Sequence, residues 1–201
     1  MSTEVRTSES HPIEVFWVEA GAHANQGKLG LTFAPGKRGE GMVTGARWER
    51  SLYADLDRLK DHHGTDVLVS LMEEFEYDML GIPTLFAEAR KRGIRVHHLP
   101  IVDTSVPTAE QANAVDELVG VIRQALSAGE RVVVHCRGGQ GRTGTIASII
   151  LTAFGHEPQD AIRIVRDAQP RAVENLQQQQ YVREASRRLA SSAVSRVGGA
   201  R

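Results

Sequence analysis

The sequence predicts an α/β fold: a central, mainly parallel sheet of four to five strands with helices on both faces. Three observations predict it. Short valine-rich runs alternate with segments of helical periodicity. Two of those runs, at 66–72 and 131–135, carry consecutive apolar residues, as strands buried on both faces do. The segments between them are long enough for crossover helices, whose right-handed sense leaves the strands parallel.

The elements follow in order along the chain. Residues 1–11 read as frayed, and 13–18 alternates apolar and polar residues as a short strand does, so 1–25 forms an N-terminal extension. Leu29, Leu31 and Phe33 alternate ahead of the turn Ala34-Pro35-Gly36, giving a strand and then a long loop. Leu52, Leu56 and Leu59 recur at helical spacing over 48–62, with Gly64 to stop the helix.

Beyond the strand at 66–72, a helix at 83–91 is stopped by Gly93, and a strand is expected at 95–100. Residues 108–128 carry Val115, Leu118, Val119, Ile122 and Leu126 on one stripe of a long amphipathic helix. The strand at 131–135 is followed by helices at 143–154, 158–168 and 174–189. The small, polar segment 191–201 reads as a disordered tail, which leaves one domain over 26–190.

Composition excludes several classes of function. Lys and Arg number 24 against 25 Asp and Glu, a net charge of -1, so no global field draws the chain to nucleic acid or to a membrane. Neither is an expected partner, and any anion recognition has to be local. The single cysteine, Cys136, rules out an internal disulfide and a multi-cysteine zinc site. The pairs His62-His63 and His97-His98 lack metal-ligand spacing, since neighbours on a strand point to opposite faces, and no metal or cofactor is expected. A polar start and the lack of any run of about 18 apolar residues make the expected compartment cytoplasmic.

One segment carries chemistry: His135-Cys136-Arg137-Gly138-Gly139-Gln140-Gly141-Arg142-Thr143-Gly144, between a buried strand and a helix. Glycines let such a loop curl until successive N–H groups converge on one point, and the positive end of the helix faces the same point. The result is a socket for a tetrahedral oxyanion, formed by the amides of Arg137, Gly138, Gly139, Gln140, Gly141 and Arg142. A cysteine at its base is favoured as thiolate and becomes a nucleophile. Arg142 can grip two phosphoryl oxygens with its planar fork, which lysine cannot do. Thr143 can offer its hydroxyl to the sulfur, and His135 can tie the loop together through its ring nitrogens. An acid is needed for the departing oxygen; Asp103 lies just past the end of the preceding strand, at the same sheet edge, with Glu110 as the alternative.

These residues resemble the cysteine-dependent protein phosphatases with a His-Cys-x5-Arg-Ser/Thr loop, the dual-specificity phosphatases among them. Within that superfamily the chain is most similar to the kinase-associated phosphatase (cyclin-dependent kinase inhibitor 3-like) group, from about Leu29 to Leu189. Supporting matches are Leu29-Gly30-Leu31 with Pro35-Gly36, the acidic turn Met72-Glu73-Glu74, and the His98-to-Asp103 segment. The resemblance implies that 26–190 is a phosphatase domain and that Asp103 is the general acid. It also implies a hydrolytic water held by a glutamine three residues before an aromatic. Gln178 ahead of Tyr181 fits, although the run 177–180 is all glutamine. A second cysteine that guards the nucleophile in some relatives is lacking here.

The expected activity is hydrolysis of phosphotyrosine in a phosphoprotein through a phosphocysteine, with the choice between tyrosine alone and dual specificity left open. A kinase partner is implied by the resemblance alone. Two other readings stand beside it: a phosphatase for inositol phosphates or RNA 5′ phosphates, for which Arg137 is the only extra cation in the loop, and a non-catalytic phosphate-binding module. Arg171, Arg183, Arg187 and Arg188 gather positive charge near the C-terminus, as a solvated helix face does.

Overall fold

The computed structural model describes residues 4–18, 27–40 and 45–198, with side chains as far as Ser191. Its centre is a five-stranded sheet in the order β2-β3-β8-β6-β7. Four strands run parallel: β3 (Lys28–Phe33), β8 (Arg131–Cys136), β6 (Val67–Ser70) and β7 (Arg95–His98). The short β2 (Phe16–Val18) is antiparallel at one edge. Five strands, mainly parallel, fall within the four to five that the sequence predicts.

Period-two alternation divides the sheet between two cores. Leu29, Leu31, Val67, Val69, Val132 and Val134 point to one side and Leu68 and Val133 to the other, all at most 2% exposed. Against the first face pack α4 (Ala112–Ser127), α5 (Gly141–Thr152), α6 (Pro158–Ala168) and α7 (Leu176–Gly198). Against the second lie α1 (Leu52–Asp57), its π-helical continuation Arg58–His62, and α3 (Leu85–Lys91). Helix α5 is the innermost: Ile146, Ile149, Ile150 and Leu151 are fully buried. Truncating any of them to alanine costs about 2–5 kcal/mol, because the cavity cannot fully collapse.

The structure departs from the sequence reading in several places. Within the segment 1–11 read as frayed, the described residues 4–11 are ordered: β1 (Val5–Arg6) pairs with β5 (Arg47–Glu49), which pairs with β4 (Arg38–Glu40) in a second, three-stranded sheet. Trp48 therefore lies on a strand rather than in the first turn of α1, which starts at Leu52 behind an N-cap hydrogen bond from Ala54 N–H to the Ser51 hydroxyl. The small sheet has little hydrophobic alternation of its own, so its pattern gives no strand signal. A short helix, α2 (Glu74–Met79), was unannounced; the reciprocal capping box Glu73/Glu76 starts it. Helix α7 runs on to Gly198, past the expected end at Leu189, through residues of fair helix propensity such as Ala190 and Ala193. The rest of the proposed tail, 199–201, lies outside the described residues, as do 1–3 and 19–25 of the extension.

Candidate active site

Strand β8 ends at Cys136, opposite Phe33 of β3, and the chain curls through 137–140 before α5 begins at Gly141. The loop is strapped on both flanks. Ala34 N–H donates to the Arg137 carbonyl (3.4 Å), and Leu71 N–H to the His135 carbonyl (3.0 Å). Gly139 has φ +72, and a Cβ there would strike the Thr32 carbonyl. Only glycine allows this approach. In return its N–H donates to the Cys136 Sγ at 3.3 Å. The thiol is free, 3% exposed, and sits at the floor of the curl.

Arg142 returns over the loop from the first turn of α5, with its side chain 1% exposed. Nη1 donates to Glu76 Oε2 (2.6 Å), the Ile101 carbonyl (2.9 Å) and the Leu71 carbonyl (3.3 Å), and Nη2 donates to Glu76 Oε1 (2.9 Å). This fork-on-fork pair fixes the guanidinium plane. Burial opposes the charge, but Glu76 outweighs it, aided by Cys136 and Asp103, and the guanidinium is held above its ordinary range. Its Nε is buried without a partner. A buried donor of this kind can serve an anionic acceptor, and the charges of Arg142 and Cys136 are near enough to act on each other.

Asp103 reaches the same guanidinium, Oδ1 to Arg142 Nη2 at 2.9 Å, while its side chain stays 46% exposed. Glu110 is exposed and makes no contact with Arg142. The Asp103 loop is held by the start of α7: Asn175 Nδ2 donates to the Thr104 carbonyl (2.9 Å) and Gln178 Nε2 to the Ser105 carbonyl (3.3 Å). Both sides of this clamp carry a strained residue, Thr104 at φ 60 and Val173 at φ 54. Arg166 of α6 secures the second by donating to the Ala172 and Val173 carbonyls.

Of the four glutamines at 177–180, Gln178 alone is buried, and a Cβ on Gly141 would meet its Nε2. The structure thus brings Cys136, Arg142, Asp103 and Gln178 to one place. Thr143 is buried, and its hydroxyl has no partner rather than a bond to the sulfur. His135 makes one ring hydrogen bond, Nδ1 to the Cys136 carbonyl (3.3 Å). Burial lowers its pKa to about 4, so the ring is neutral.

Three residues at the site escaped the sequence reading. Glu76 has only the local spacing of a capping box with Glu73 to mark it, and that says nothing about Arg142. Glu174 approaches Gly141 and accepts its N–H; desolvation and the nearby Asp103 hold its carboxyl above the usual range. Lys37 follows the Ala34-Pro35-Gly36 turn beside the loop, with Nζ 4.3 Å from the Phe33 ring centre and 4.2 Å from that of Trp48. Desolvation and the Arg50 charge bring it down to about 8; Arg137 acts the same way, while Cys136 and Asp55 pull in the opposite direction.

A mainly parallel sheet whose central strand delivers a cysteine loop into a buried helix, with a buried arginine in that helix's first turn, defines the class of dual-specificity and tyrosine phosphatases. The chain belongs to the family described as "Polymorphic toxin system, DSP-PTPase phosphatase", whose model matches residues 43–156, more than half of its length. Cyclin-dependent kinase inhibitor 3 of Rattus norvegicus is 26% identical over 196 residues, 96% of this chain and 88% of the rat protein. Among solved structures, kinase associated phosphatase with its catalytic cysteine changed to serine superposes with a TM-score of 0.77 at 24% identity, over 89% of this chain and 96% of the other. Tk-PTP in its active form gives 0.63 at 27% identity, over 80% and 92%.

Proposed function

We propose that this protein is a phosphoprotein phosphatase that hydrolyses phosphotyrosine, and phosphoserine and phosphothreonine with it, through a phosphocysteine. The observation that carries the reading is the free Cys136 at the floor of an amide curl, within charge-interaction range of the buried Arg142. The Cys136 thiolate attacks phosphorus and forms the S–P bond as the P–O bond to the leaving group breaks. Asp103 delivers its proton to the departing oxygen. Arg142 and the amides of Arg137 to Arg142 hold the three equatorial oxygens, and charge built up there is stabilised in place. Water positioned by Gln178 then attacks phosphorus, Asp103 takes its proton, and the S–P bond breaks to return the thiolate. Thr143 donates its hydroxyl to the leaving sulfur, and neutral His135 holds the loop. The mechanism uses no metal or cofactor.

The deciding experiment is hydrolysis of an aryl phosphate in EDTA by the wild type and by Cys136→Ser. Turnover lost in the variant is expected; full activity there would sink the mechanism. Likeness to cyclin-dependent kinase inhibitor 3 over nearly the whole chain supports a kinase as protein partner. Substrate trapping with Cys136→Ser in a lysate tests it, and recovery of no kinase counts against it.

A further inference from the structure

We propose that Lys37 and Arg137 form a second anion subsite beside the phosphate socket, and that the preferred substrate is a phosphopeptide with an acidic or phosphorylated residue next to the target residue. This deepens the phosphoprotein reading and rests on it.

The turn that carries Lys37 is built in place. Arg50 and Asp55 form a buried bidentate pair (2.7 and 2.8 Å), and Gly36 N–H donates to Asp55 Oδ2 at 2.7 Å. Arg50 also donates to the His11 carbonyl (2.6 Å), which ties the N-terminal segment to the same point. Ala34 N–H bonds the turn to the Arg137 carbonyl, and Phe33, whose ring Lys37 caps, pairs with Cys136 across the strands. The ammonium is thereby set at the side of the cysteine loop.

The charges there are unequally matched. Asp55 neutralises Arg50, whereas neither Lys37 nor Arg137 has an ion-pair partner among the described residues. A desolvated ammonium between two aromatic faces, on which the Arg137 charge also acts, has gained cation–π attraction but no counter-ion. An anion arriving with the substrate supplies one. From Trp48 and Arg50 a cleft of about 580 Å³ continues along the small sheet, lined also by Arg38, Arg47, Glu40 and Glu49. Its volume and mixed charge suit a peptide flanking the target residue better than a lone inositol ring.

The titration of Lys37 adds a signature. Facing it are Arg50, Arg137, Cys136 and Asp55, and with its pKa brought to about 8 it is charged at pH 6.5 and largely neutral at pH 9. Preference for a permanently ionised neighbour should therefore fade as pH rises through 8.

The test compares kcat/KM for two phosphotyrosine peptides, one with glutamate on either side of the target and one with alanine there. Taking their ratio cancels the pH dependence of the shared chemistry. We expect a preference of about tenfold for the acidic peptide at pH 6.5, diminished at pH 9, abolished in Lys37→Met and Arg137→Gln, and kept at pH 9 in Lys37→Arg. Thermal melting confirms that each variant is folded. Equal rates for the two peptides, or a ratio unmoved by Lys37→Met, overturns the subsite and leaves the peptide phosphatase reading standing. Hydrolysis of aryl phosphate but of neither peptide overturns that reading and the subsite's assignment together. Inositol 1,4-bisphosphate is the third arm: a higher kcat/KM for it than for the acidic peptide, lost in Lys37→Met, would assign the cations to a headgroup and overturn the peptide proposal.

Discussion

Arg142 is held by Glu76 on its buried side and meets Asp103 on its open side, where Nη2 and Oδ1 lie 2.9 Å apart. The two carboxylates do different work. Glu76 is buried, bidentate and remote from solvent, so it sets the plane of the guanidinium. Asp103 is half-exposed on a loop, and in the proposed mechanism a phosphate that takes over the Nη2 hydrogen bond frees it to face the leaving oxygen.

The division predicts different kinetics for the two. Asp103→Asn should lower kcat for an aryl phosphate by roughly 10²- to 10⁴-fold, the usual contribution of a general acid. Glu110→Gln, which alters an exposed side chain away from Arg142, should stay near the wild-type rate. Equal losses in the two variants would move the acid elsewhere.

Glu76→Ala leaves Arg142 buried without its carboxylate. Breaking a buried pair in this way costs about 3–5 kcal/mol, so chemical denaturation should show a marked loss of stability. In the milder Glu76→Gln, KM for aryl phosphate should rise more than kcat falls, since the fork is misaligned while Cys136 and Asp103 remain. A fall confined to kcat would contradict a positioning role.

Gln178→Ala should spare the first chemical step and slow the second. Rapid mixing with an aryl phosphate is then expected to give a burst of phenol close to one equivalent of enzyme, with phosphocysteine trapped on acid quench. A burst no larger than that of the wild type would remove Gln178 from water positioning.

His135 links the loop to pH-dependent stability. Its ring takes a proton near pH 6.5 in the unfolded chain but only near 4 in the folded protein. Between those values the unfolded state binds the extra proton, so this contribution is full above 6.5 and is lost as pH falls toward 4. His135→Asn, which cannot titrate, should therefore show a shallower fall in melting temperature between pH 6.5 and 4.5. Parallel curves for the two proteins would refute the buried neutral ring.

The local signals were strong where function demands particular chemistry in a short stretch. Cys136, the glycines and Arg142 lie within seven residues, and the socket they form depends on backbone curvature that glycine composition announces. The parallel strands were equally readable, because burial on both faces requires continuous apolar runs. The small sheet was not, since Arg38–Glu40 and Arg47–Glu49 are largely polar and owe their pairing to neighbours rather than to a hydrophobic face.

By itself the sequence singled out Cys136 and Arg142 as the candidate pair and determined the α/β class and the sheet edge on which Asp103 falls, because each depends on residue type, spacing or strand order. Tertiary structure alone decided which of four glutamines enters the site, that Glu76 rather than Glu73 or Glu74 grips Arg142, and that Lys37 stands beside the loop. Those choices come from contacts between residues 66 and more positions apart or from burial against a distant element. Charge neutralisation and desolvation act through space, and no periodicity along the chain encodes them.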